Sequence, residues 1–172
     1  MKKFIIFLFI FYVAFVALMP KENLYYTLKN ILKQERVTIS EESLSDNLVS
    51  LKSKGVSIFY DGIESVNADE FSVLPLVIYN KIEASNVRAS KDLKNMFKFS
   101  ADLVEVTYAL WNYKKAKISA SGDFGELYGT FDVTSGELKL NLEPSLEFEK
   151  SPMIRQYFKK SEEGLVYEQI IK

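Results

Sequence analysis

The chain has 172 residues, a formal net charge of -1, no Cys and no His. That length holds one domain plus a short extra segment, and the charge balance excludes general nucleic-acid binding, which needs a basic surface to neutralise phosphates. Lack of Cys removes disulfides, a thiol nucleophile, an iron–sulfur cluster and a lipid-modified cysteine; lack of His removes the commonest general base and zinc ligand.

Residues 4–19 read FIIFLFIFYVAFVALM, sixteen positions without a charge. As a helix they span roughly 24 Å at 1.5 Å per residue, a little short of a hydrocarbon layer of ~30 Å. Lys2 and Lys3 precede them and can snorkel. The expectation is a transmembrane anchor over 1–20, oriented N-in by its basic tip. A cleaved signal peptide is the competing reading. Its cleavage site fits poorly, because Phe15-Val16-Ala17 and Leu18-Met19-Pro20 lack small residues at paired positions. A buried soluble helix is the third.

Pro20 breaks that segment from the next. Residues 21–35 are expected as an amphipathic helix, with Leu24, Tyr25, Leu28, Ile31 and Leu32 forming one stripe. The plain reading packs that stripe on the domain. The sharper one lays the helix on a membrane, with Tyr25 and Tyr26 at headgroup level.

From residue 36 the period changes to alternation, and 36–172 is expected as a β-rich domain. Strand candidates are 36–40, 48–52 and 56–60, with Val56, Ile58 and Tyr60 on one face and Gly55 between the last two. Asp61-Gly62 is a hairpin signal. Residues 63–66 pair back, 70–74 continue, and Pro75 marks an edge or a break. A long candidate covers 76–87, and 91–100 is a loop or one helical turn. In 103–111 Val104, Val106, Tyr108 and Leu110 face one way. In 115–121 Ala116, Ile118 and Ala120 face inward. Leu127, Gly129, Phe131 and Val133 line one face, and Thr134-Ser135-Gly136 turns. In 137–142 Leu138, Leu140 and Leu142 face inward. A short helix over 151–160, with Ser151 as N-cap and Pro152 in its first turn, precedes a last strand over 165–171.

The fold class is therefore mainly β (α+β). After the anchor and the amphipathic helix comes a curved antiparallel meander of about eight or nine strands, with a short C-terminal helix and a final strand.

No known active site assembles from these residues. Asp123-Phe124-Gly125 repeats a kinase motif by chance, since no phosphate loop accompanies it. Gly122, Gly125 and Gly129 lie between strands and suit bulges and a tight bend. Asp69/Glu70, Glu41/Glu42 and Glu162/Glu163 are sequence neighbours that a strand would point to opposite faces. Trp111, Lys114, Lys115 and Lys117, with Tyr113, form a small basic–aromatic cluster. It is the polar face of a strand, or a contact for lipid headgroups or an acidic partner.

Two stretches carry a resemblance. One runs from Val37-Thr38-Ile39 through Leu48-Val49-Ser50-Leu51 and Lys54-Gly55-Val56 to Ala68-Asp69-Glu70. The other runs from Gly136-Glu137-Leu138 through Leu142-Glu143-Pro144-Ser145 to Lys159-Lys160-Ser161-Glu162-Glu163-Gly164-Leu165-Val166-Tyr167. In pattern and order they resemble the type II secretion protein N family and the wider AsmA-like envelope proteins, of which this would be a short, single-domain member. The resemblance implies a single-pass bacterial inner-membrane protein with a periplasmic domain, working by contacts with other envelope or secretion proteins. It implies no enzyme activity and no cofactor. Its alternative is lipid handling, with acyl chains sheltered on the apolar face by Val104, Val106, Tyr108, Leu110, Leu138, Leu140 and Leu142, residues that alternation alone reads as core.

Overall fold

The computed structural model describes residues 2–91, 93, 100–150, 156–161 and 164–171. Two helices, α1 (Lys2–Ala17) and α2 (Lys21–Gln34), precede the strands. These are β1 (Val37–Ser40), β2 (Ser43–Asp46), β3 (Leu51–Tyr60), β4 (Ile63–Pro75), β5 (Tyr79–Ala89) and β6 (Ser100–Ala109). β7 (Lys115–Gly122), β8 (Gly125–Asp132), β9 (Glu137–Pro144), β10 (Lys159–Ser161) and β11 (Gly164–Ile170) follow.

All the strands join one sheet of eleven, in the order β1-β3-β4-β5-β6-β7-β8-β9-β11-β10, with β2 also on β3. Every pairing is antiparallel. The fold is therefore an antiparallel meander, as alternation without intervening helices requires. Asp61 and Gly62 both take positive φ, 51° and 79°, and close the expected hairpin.

The strand count exceeds the expected eight or nine for local reasons. β2 (SLSD) carries a single apolar residue and β10 (KKS) none, so neither shows alternation. Two pairs of expected short strands merge into β3 and β4. The expected strand over 76–87 starts only at Tyr79, because residues 76–78 make the β4–β5 turn. The expected helix over 151–160 falls partly on 151–155, outside the described residues; Lys159 and Lys160 belong to β10.

A line of irregularities crosses four neighbouring strands. Gly55 (φ 60°) in β3 and Asn86 (φ 51°) in β5 are left-handed, and β6 shifts register against β7 between Ala101 and Leu103. In β3 the buried set changes parity across Gly55, from Leu51 and Ser53 to Val56. An extra residue per strand keeps one face apolar on both sides of the line.

Few side chains are fully buried. The largest group is Ala101, Phe124 and Leu142, ringed by partly buried Val87, Val104, Ala120, Leu127, Phe148, Phe158 and Leu165.

In α1, residues 4–11 are each between 56% and 67% exposed. Among the described residues no single helix is long and apolar enough to cross a membrane; α1 and α2 reach that only as a pair, bent by 53°. α2 meets the sheet through Lys21, Tyr25 and Lys29, one face at i, i+4, i+8. Lys21, only 4% exposed, pairs with Asp46 at 3.0 Å. Lys29 reaches Glu41 at 2.6 Å, and the Tyr25 hydroxyl donates to the same carboxylate at 3.2 Å. Tyr25 is buried, whereas Leu24, Leu28 and Ile31 are exposed. The helix thus lies on the domain, but by a polar and aromatic face and not by its aliphatic stripe.

Candidate functional site

The pleat sorts each strand's side chains to two faces. Val104 pairs with Ala84 and Ala120, Ala120 with Leu127, and Leu127 with Leu142. Val106 pairs with Ile118, Ile118 with Gly129, and Gly129 with Leu140. Phe131 faces both Ala116 and Leu138. These rows make one apolar face from β5 to β11. Most of its side chains are half-buried, because among the described residues no second layer covers them.

Toward the β7–β8 turn the face deepens into a cleft of about 410 Å³. Val87, Ala101, Val104, Ala120, Leu127, Leu140 and Leu142 floor it, with Phe124, Phe148, Tyr157, Phe158 and Tyr167 as aromatic walls. None of these side chains bears a charge. The walls are held by ring contacts: Phe124 meets Phe148 edge-on at 6.2 Å, and Phe158 lies 6.1 Å from Tyr167. Asp123 fixes the turn that presents Phe124, accepting the Ser100 N–H at 2.8 Å while the Ser145 hydroxyl donates to its carbonyl at 2.6 Å. The volume falls within the usual range of small-molecule sites, about 300–1,000 Å³.

Of the residues expected on this face, Val104, Leu140 and Leu142 line the cleft. Val106, Tyr108 and Leu138 continue the same face away from it. Leu110 does not belong there. β6 ends at Ala109, and Leu110 opens a 3-10 turn, Leu110–Asn112, half exposed. Alternation cannot see that stop, because the turn is fixed by a bond from the Leu110 N–H to the Ile78 carbonyl, 3.0 Å away on another loop. Phe124, Phe148 and Phe158 are among the contributors that sequence reasoning missed. Phe124 stood in a glycine-punctuated turn, and the other two lie in segments without strand alternation.

The basic–aromatic cluster divides. Trp111 and Lys114 sit in the β6–β7 turn, where the Lys114 ammonium is 5.8 Å from the Tyr113 ring. Lys115 and Lys117 share the opposite, polar face of β7. Lys117 there lines a second cleft of about 400 Å³ with Glu105, Thr107, Ser119, Tyr128, Thr130, Lys139 and Asn141. At its margin Lys81 bridges Glu105 (2.7 Å) and Glu83 (3.1 Å), and those carboxylates raise its pKa above the usual lysine value. Among the described residues no three acidic side chains gather as a metal site.

Fold and cleft together define a single-sheet antiparallel β protein with one polar face and one apolar face that is largely uncovered among the described residues. No family model, curated protein or solved structure matches the chain.

Proposed function

We propose that this protein is a membrane-anchored lipid-binding module that shelters an acyl chain on the apolar face of its sheet. The chargeless cleft between β6–β9 and the Phe148 and Phe158 walls carries the reading. Water is a poor occupant of such a surface, since it finds no polar partners there. A hydrocarbon chain gains roughly 0.8 kcal/mol per buried methylene. The curvature that a line of bulges gives a sheet suits a groove more than a flat wall. α1 supplies the anchor, assisted by snorkelling Lys2 and Lys3, and the domain lies on the extracytoplasmic side of a bacterial inner membrane. The resemblance to AsmA-like proteins agrees with this use of the face. Neither catalysis nor a cofactor is required.

A second reading, an accessory of a type II secretion-like or envelope-assembly apparatus, is favoured by one observation. β10 covers β11 only from Gly164 to Val166, so among the described residues the rest of that edge bears no strand. Such an edge accepts a partner strand.

One preparation separates them. The full chain, extracted in mild detergent, is analysed by native mass spectrometry and proteomics. A bound phospholipid or fatty acid is expected, and Ala120→Phe, which fills the cleft from its floor, should remove most of it without altering the circular dichroism. Envelope proteins co-purifying in the absence of any lipid would transfer support to the second reading.

A further inference from the structure

At the end of the sheet away from the cleft, two adjacent turn tips are apolar. The β4–β5 connection is a γ-turn, in which the Ile78 N–H donates to the Leu76 carbonyl at 2.7 Å around Val77 at φ 68°. This conformation is strained for a β-branched residue, and Gly or Asn would adopt it more readily. Val77 and Ile78 are both exposed. The Leu110 N–H, bonded to the Ile78 carbonyl, brings the β6–β7 turn alongside. There Trp111 is 74% exposed, yet its ring is positioned, stacked on Tyr79 at 6.2 Å and 11°. Lys114 and Lys115 follow at once, both exposed.

α1 reaches the same place. The Tyr12 hydroxyl donates to the Leu76 carbonyl at 2.6 Å, across 64 residues of sequence. The uncovered apolar helix, two apolar turn tips, a fixed tryptophan and two lysines thus meet at one end of the strands. A protein partner would explain the aromatics but not the lysines, which protein interfaces disfavour. A bilayer explains both, because Trp and Tyr favour the headgroup level and lysines favour anionic lipids.

We infer that this end of the sheet is a second membrane contact: Val77, Ile78, Leu110 and Trp111 enter the interfacial layer of the bilayer that α1 enters, and Lys114 and Lys115 meet anionic headgroups. The inference rests on the reading of α1 as the anchor. It also gives the cleft a supply route. Val106, Ile118 and Leu138 carry the apolar face along the strands, from this end toward the cleft, with no charged side chain among them.

Trp111 is the only tryptophan in the chain, so its emission reports this site alone. The full chain is reconstituted into vesicles of phosphatidylcholine and phosphatidylglycerol. Lipid brominated near the headgroup should quench most of the emission, and aqueous iodide little of it. Lys114→Glu with Lys115→Glu should roughly halve the lipid quenching when phosphatidylglycerol is present and leave it unchanged in phosphatidylcholine alone. Quenching should persist in Ala120→Phe, which separates this contact from occupancy of the cleft. A chain that floats with the vesicles while iodide quenches Trp111 and brominated lipid does not would overturn the inference and leave the anchor standing. A chain that does not float at all removes both.

Discussion

Tyr25 joins α2 to the sheet, and its hydroxyl makes that joint sensitive to alkali. Burial, and then the neighbouring Glu41 carboxylate, disfavour the phenolate and push the Tyr25 pKa up to about 12. In the unfolded chain an ordinary tyrosine ionises near pH 10. Below about pH 10 both states hold the proton and the full stabilisation is present. Between about 10 and about 12 the unfolded chain loses its proton first, so stability falls as pH rises. On the order of 2 kcal/mol is at stake, since each tenfold change in proton affinity is worth about 1.4 kcal/mol. Tyr25→Phe cannot ionise. Denaturant titrations at stepped pH should therefore show a shallower alkaline decline for Tyr25→Phe than for the parent chain. Parallel declines would mean that the phenol does not stay protonated in the folded state.

At the scale of elements, α2 shows what a sequence pattern states and what it leaves open. The period of Leu24, Leu28 and Ile31 correctly signals a helix. It does not say which face meets the domain. That is decided by Asp46, Glu41 and the buried Ser53, which come together only when β1–β3 form. Strands with strict alternation, such as β6 and β9, were legible for the same reason that β2 and β10 were not: a single apolar residue, or none, has no period. The cleft was half legible. Val104, Leu140 and Leu142 stand in alternating runs, whereas Phe148 and Phe158, which also line it, stand in none. For α2 the consequence can be measured. Ile31→Gln, on the exposed stripe, should change the free energy of unfolding by less than about 0.5 kcal/mol. Tyr25→Ala should cost roughly 3 kcal/mol, as large aromatic truncations do. Equal costs for the two in chemical denaturation would place the aliphatic stripe, not the tyrosine face, against the sheet.

The whole molecule is an open sheet, so it must manage two edges as well as one uncovered face. On one side β1 and β2 share the outer edge of β3, and α2 braces them through the Lys29–Glu41 and Lys21–Asp46 pairs. On the other side the last strand is β10, three residues long, exposed throughout and bearing Lys159 and Lys160. A short strand with adjacent lysines is a poor template, because a second copy would set like charges against each other across the new ladder. Beyond β10 the edge of β11 passes through Glu168, which adds a charge of the opposite sign, and Lys139 on β9 already engages it at 3.7 Å. Edge-to-edge growth is thus opposed chiefly by the two lysines. Replacing them together, Lys159→Thr with Lys160→Val, leaves the β10–β11 register intact and raises strand propensity. The detergent-solubilised double variant should self-associate with rising concentration in light scattering while the parent chain stays at constant mass. A double variant that scatters as the parent does would show that the short length of β10, and not its charge, protects this edge.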